Sequence, residues 1–108
     1  LESYIGCLVL IIPYRNNIEY IYQYQVKIKD SYHYYDFYLP KHNILIEYNG
    51  LQHYKPVVFF GGEKGFEYLK QRDKIKEKYC FDNQINLLIL SYKDNIEKIL
   101  NKTLNAYI

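Results

Sequence analysis

Asp36-Phe37-Tyr38-Leu39-Pro40-Lys41-His42-Asn43-Ile44-Leu45-Ile46-Glu47-Tyr48-Asn49-Gly50 is the stretch on which the fold turns. Two runs rich in aromatic and β-branched residues flank a Pro-Lys-His-Asn connection, and this predicts a tight β-hairpin. With the turn centred between Lys41 and His42, residues whose numbers sum to 83 oppose each other. Pro40 then meets Asn43, Tyr38 meets Leu45, Asp36 meets Glu47, and Tyr34 meets Asn49. Opposed residues project from one face, so Asp36, Glu47 and Asn49 form a polar cluster. Facing carboxylates repel, and a hard divalent cation is the natural compensation. Mg²⁺ suits the place, because it binds through one or two carboxylates and keeps several waters. Two plainer readings stand beside this one. A one-residue shift of register turns Glu47 away from Asp36, and carboxylates that reach solvent need no ion.

Working outward, residues 18–29 alternate regularly. Ile18, Tyr20, Tyr22, Tyr24, Val26 and Ile28 fall on one face, with Glu19, Gln23, Gln25, Lys27 and Lys29 on the other. This predicts a half-buried strand, a turn at Asp30-Ser31, and further strands over 32–39 and 44–49. A loop over 50–62 ends at Gly61-Gly62, and a helix is expected over 63–81. Residues 85–90 read as a short apolar strand buried on both faces inside a sheet. Asp94 is expected to cap a last helix through about Asn105, with Ile96, Ile99, Leu100 and Leu104 inward. Segment 2–12 is ambiguous between helix and strand. The order is (α)βββαβ(α). It implies an α/β domain with a mixed four-stranded sheet flanked by helices and a right-handed crossover.

The 108 residues suit one domain, 1–108, and 24% charged residues argue against a disordered chain. The longest apolar run, Leu8 to Ile12, is too short to span a bilayer, and no basic residue precedes Arg15 as a signal peptide would require. Two cysteines, Cys7 and Cys80, make neither a disulfide scaffold nor an all-Cys zinc site, and both are expected as buried apolar residues. An intracellular, reducing compartment is therefore expected. The chain starts at Leu1, which leaves a longer parent protein open, as it leaves open a homodimer. Ile, Lys, Asn and Tyr together supply 50 of 108 residues, with 15 Tyr and no Trp. All four have codons rich in A and T, so genome bias explains the tyrosines before base stacking does. A net charge of +2 permits nucleic acid as a partner without arguing for it.

The segment from Asp36 through Glu47, Tyr48, Asn49, Gly50, Gln52, His53 and Tyr54 resembles the core of the PD-(D/E)XK (restriction-endonuclease-like) nuclease superfamily. It looks closest to the small branch related to very-short-patch mismatch repair endonucleases. That branch carries an Asp-Phe-Tyr strand, a Glu-x-Asp/Asn-Gly strand end and then a His. The likeness continues through Gly61-Gly62, the Arg72-Asp73-Lys74-Ile75-Lys76 helix and residues 85–90. The resemblance implies a restriction-endonuclease-like core and Mg²⁺ (or Mn²⁺) held by Asp36, Glu47 and the Tyr48 backbone carbonyl. One departure matters. Asn49 stands where the superfamily motif has Lys, and an amide cannot carry positive charge or take a proton from water. His53, assisted by Gln52, is then the group that orients the attacking water or the leaving group. The plain alternative for His53 is a surface histidine bonded to backbone.

On the 63–81 helix, Phe66, Leu69, Asp73, Lys76 and Cys80 share one stripe, and Tyr68, Ile75 and Tyr79 share a neighbouring one. Asp73 is expected to pair with Lys76 and support the fold. Lys76 has a second reading, in which it reaches the carboxylates and supplies the charge that Asn49 lacks. Lys70, Arg72, Lys74 and Lys78 suit phosphate contacts or a solvated helix face equally. Glu2 is a further candidate near the metal, while His33 and His42 have no partners at metal-ligand spacing. The expected activity is metal-dependent hydrolysis of DNA phosphodiester bonds. Its rivals are a nuclease-like fold that binds DNA without cutting it, and a protein-interaction domain.

Overall fold

The computed structural model describes residues 17–107. Segment 2–12, with Glu2 and Cys7, lies outside them. Four strands run β1 (Ile21–Ile28), β2 (Ser31–Leu39), β3 (Ile44–Asn49) and β4 (Asn86–Ser91), in the spatial order of their numbering. Helix α1 (Gly62–Asp82) connects β3 to β4, and α2 (Ile96–Tyr107) follows β4. The β1/β2 and β2/β3 pairs are antiparallel and β3/β4 is parallel, so the sheet is mixed. The coarse α/β architecture and the order from the first strand onward agree with expectation. Among the described residues no helix is long and apolar enough to cross a membrane.

The hairpin between β2 and β3 has the register that its turn dictates: Phe37 pairs with Ile46, Tyr38 with Leu45 and Leu39 with Ile44. Asn43 makes the turn possible by adopting φ 53°, a left-handed value that Asn tolerates better than most residues. Its side-chain amide donates to the Gln84 carbonyl at 3.0 Å, and its own carbonyl accepts from the Asn86 N–H at 3.1 Å. The turn is thereby fastened to the start of β4.

Two apolar clusters cover the sheet, one on each face. Phe37, Leu39, Ile44, Ile46 and Leu90 pack with Ile96 and Leu100 of α2. Val26, Tyr35 and Leu45 pack with Cys80 of α1, joined by Tyr24, Tyr38, Tyr79 and Leu87. Tyr35 and Phe37 are two residues apart in one strand, yet they belong to opposite clusters. The alternation therefore slips by one at Asp36. The partner strand slips at the same level, where Gln23 adopts φ 51°. Tyr22 packs on Phe37, with ring centroids 5.3 Å apart, whereas Tyr24 packs on Tyr38 at 4.6 Å. The stripe that the sequence puts on one face thus crosses from the α2 side to the α1 side.

Three other expectations are corrected. The β1/β2 turn lies at Lys29-Asp30, with Lys29 at φ 55°, because Ile28 pairs with Ser31. Among the described strands β4 lies at the edge of the sheet, paired with β3 alone, and not inside it. Its apolar run is explained by its faces, since Leu87 joins the α1-side cluster while Leu88 and Leu90 join the α2-side cluster. Asn95 caps α2 through its side-chain oxygen and the Lys98 N–H, while Asp94 instead accepts from the Ser91 N–H. On the neighbouring stripe of α1, Tyr68 and Ile75 are exposed. The helix begins one residue before the expected start, at Gly62 (φ 61°) after its cap Gly61 (φ 90°), conformations that a side chain would strain.

Candidate functional site

The β2/β3 ladder stops one residue short of the carboxylates. At that level Asp36 takes over the bonding, and its Oδ2 accepts the Tyr48 N–H at 2.6 Å. The two strands part around a side chain rather than a backbone pair. Asp36 follows the α1-side parity of Tyr38, and Glu47 and Asn49 follow that of Leu45, so all three face α1. The expected juxtaposition of Asp36, Glu47 and Asn49 is therefore present.

Helix α1 meets this face with a ladder of its own. Lys76 Nζ donates to Glu47 Oε1 at 2.5 Å, with both side chains mostly buried. One turn earlier, His53 Nδ1 lies 3.0 Å from Asp73 Oδ2. Asp73 thus pairs with His53 and not with Lys76, which corrects the expectation of an intrahelical pair. Lys76 follows its second reading and reaches the carboxylates. Seen along a single helix, i and i+3 neighbours are the obvious partners. Docked on a sheet, both side chains find deeper partners across the interface, where solvent screens the charges less.

The electrostatics follow from burial. Glu47 is pushed up to about 7, foremost by desolvation and further by the charge of Asp36; Lys76 and His53 oppose the shift. Tyr35 lies fully buried beneath Lys76, whose ammonium sits 4.8 Å from the ring centroid. The Tyr35 hydroxyl donates to the Lys76 carbonyl at 2.8 Å, and burial holds the phenol well above its ordinary range. His33, buried on the same face, is pushed down by desolvation and by the positive charges of Arg72 and Lys76. Tyr35 and its grip on Lys76 were not foreseen. In the sequence it is one aromatic residue among many, and only helix docking distinguishes it.

Asn49 is buried, and its Oδ1 has no hydrogen-bond partner among the described residues. A buried amide oxygen left unpaired is costly, unless something outside the protein bonds to it. Tyr48 follows Glu47 in β3 and its N–H is bonded to Asp36, so its backbone lies beside both carboxylates. Gln52 belongs to a short 3₁₀ turn, Leu51–His53, which brings His53 back towards α1; its side chain lies outside the description. His42 is in the hairpin turn and away from this group. Among the described residues no three His, Cys, Asp or Glu side chains form a metal-binding group. The available hard donors are two carboxylates and one orphaned amide oxygen. That set fits a cation which keeps most of its water, such as Mg²⁺, and does not fit zinc.

No family model matches the chain. It is 39% identical over 70 residues to "Uncharacterized protein 307L" of Invertebrate iridescent virus 6. The match takes in 62% of this chain and 36% of the viral protein, so the chain spans about a third of that relative. No solved structure matches.

Proposed function

We propose that this chain is a Mg²⁺-dependent endonuclease of the PD-(D/E)XK type, which hydrolyses DNA phosphodiester bonds. One observation carries the reading: Asp36 and Glu47 meet on one face of adjacent strands, and Lys76 joins Glu47 from the helix. The charge missing at Asn49 is supplied from α1. Asp36, Glu47 and the amide oxygen of Asn49 would hold the cation, with Mn²⁺ as a substitute. Bound there, the metal supplies an acidified water and charge stabilisation at phosphorus.

The remaining work falls to side chains. The Asp73 carboxylate accepts only, so a neutral His53 carries its proton on Nδ1 and has its lone pair on Nε2. His53 can then take a proton from water at Nε2, or return one to the leaving oxygen. Lys76 offers positive charge to a phosphate oxygen. The free, buried thiol of Cys80 and DNA as substrate both suit an intracellular protein.

A second reading, DNA binding without cleavage, is favoured by the Lys76–Glu47 contact itself, since an ammonium already neutralises one presumed metal ligand. Supercoiled plasmid incubated with Mg²⁺ separates the two. Nicking by the wild type and not by Glu47→Ala supports the endonuclease. Retention of plasmid on the protein, with no metal-dependent nicking, supports the binding module.

A further inference from the structure

Beyond the carboxylates, the α1 ladder has a third rung. Lys70, Asp73 and Lys76 are spaced three residues apart and touch, in turn, Tyr54, His53 and Glu47. At 1.5 Å per residue, the Tyr54 rung lies about 9 Å along the helix from Lys76. Tyr54 also meets Tyr92, with ring centroids 5.8 Å apart and planes tilted by 52°. The Tyr92 N–H donates to the Asn49 carbonyl at 3.1 Å, which fixes this pair to the end of β3 that carries Glu47 and Asn49. Both rings are partly open to solvent, Tyr54 at 44% and Tyr92 at 37%. The ammonium of Lys70 lies 5.4 Å from the Tyr54 centroid, and that of Lys93 lies 5.7 Å from the Tyr92 centroid. Neither lysine forms an ion pair among the described residues.

We propose that Tyr54 and Tyr92 form a stacking platform for an unpaired base beside the scissile phosphate, and that the preferred substrate is single-stranded DNA. This deepens the endonuclease reading and rests on it for the position of the cut. Aromatic faces accept bases of any sequence, but only bases that have left a duplex stack. A lysine resting on an exposed ring marks the face a base takes. Once displaced, its flexible stem carries the charge to the neighbouring phosphate. A stacked strand advances ~3.4 Å per nucleotide, so a base on the platform is within about three nucleotides of a phosphate at the carboxylates. Charge complementarity selects the occupant: two lysines that rest on two open rings, with no ion pair among the described residues, match a polyanion with aromatic faces.

The test is binding in EDTA, where cleavage cannot intervene. Fluorescence anisotropy compares labelled oligothymidylate with a hairpin duplex of equal length. Single strands bind more tightly, and Tyr54→Ala and Tyr92→Ala each weaken that binding by roughly 5- to 150-fold, the range for a lost stacked base. Tyr54→Phe, which keeps the ring, binds as the wild type does. Because the chain contains no Trp, Tyr54→Trp introduces a lone reporter whose emission is quenched when a base stacks on it. Equal affinity for duplex and single strand overturns the proposal, as does wild-type binding by both alanine variants. Failure of the two readings is distinguishable. Ring-dependent binding in EDTA without any metal-dependent cutting removes the nuclease and keeps the platform. Metal-dependent cleavage of single-stranded DNA that is unchanged in both alanine variants keeps the nuclease and removes the platform.

Discussion

The two faces of the sheet are built from neighbouring residues of the same strands, and they serve opposite purposes. On the α2 face, Phe37, Leu39, Ile44, Ile46, Leu90, Ile96 and Leu100 are all buried and apolar. On the α1 face, the apolar patch of Val26, Tyr35, Leu45 and Cys80 gives way to Asp36, Glu47, Asn49, His53, Asp73 and Lys76. A small domain buries too little surface to carry charge in its core on both sides. The α2 face provides stability without polar cost, and this allows the α1 face to hold desolvated charges that weaken it. The slip at Gln23 and Asp36 is the hinge between these regimes. It moves aromatic residues to whichever face needs them, and it frees Asp36 from the β ladder.

Substitutions on the two faces should therefore separate activity from stability. The largest effect is expected at the carboxylates. Asp36→Asn and Glu47→Gln bring plasmid nicking to background while shifting the unfolding free energy by no more than about 1 kcal/mol, because each removes one of two facing charges. A large loss of stability in the metal-free variants, read by urea titration, would make the pair structural. Next comes His53→Ala, which lowers the cleavage rate roughly 10²- to 10⁴-fold. Asp73→Asn lowers the rate in the same direction, because it weakens the contact that orients the imidazole. A wild-type rate for His53→Ala would return that residue to a merely structural pair with Asp73.

On the opposite face, Leu100→Ala should cost about 2–5 kcal/mol of stability, through lost transfer energy and the cavity left behind. Its rate per folded molecule stays that of the wild type, and a specific loss of turnover would break the division between faces. The smallest effect is the response to pH. With Glu47 raised from 4.5 to about 7, the folded metal-free protein retains a proton that the unfolded chain releases. The resulting stabilisation is fully present below about pH 4.5 and is lost as pH rises through about 7, by roughly 3 kcal/mol at most. Urea titrations from pH 5 to 8 should show that decline in the wild type and a flatter profile in Glu47→Gln. A rise in stability over this range would contradict the desolvation of Glu47.

Legibility in the sequence differed by element. Helix α1, the β2/β3 hairpin and the inward positions Ile96, Ile99 and Leu100 of α2 were readable because each depends on contacts a few residues apart, while the side chain of Leu104 lies outside the description. The face switch in β1 was not, since alternation reports parity only and Gln23 carries no sign of a left-handed conformation. β4 misled for a related reason. An apolar strand is covered on both faces by α1 and α2 whether it is central or at the edge, so composition cannot reveal which neighbours it has.

The same distinction runs through the candidate site. From the sequence alone came the opposition of Asp36 and Glu47, because a four-residue turn at 40–43 fixes the register and register fixes the face. Left to the tertiary structure was the choice of partner for each charge: Lys76 on Glu47, Asp73 on His53, and Tyr35 beneath Lys76. A helix stripe shows which residues face the sheet, but their height above each strand is set by how the whole helix seats. That seating is decided jointly by Tyr35, Leu45, Tyr79 and Cys80 packing across the interface. No local pattern of residues encodes it.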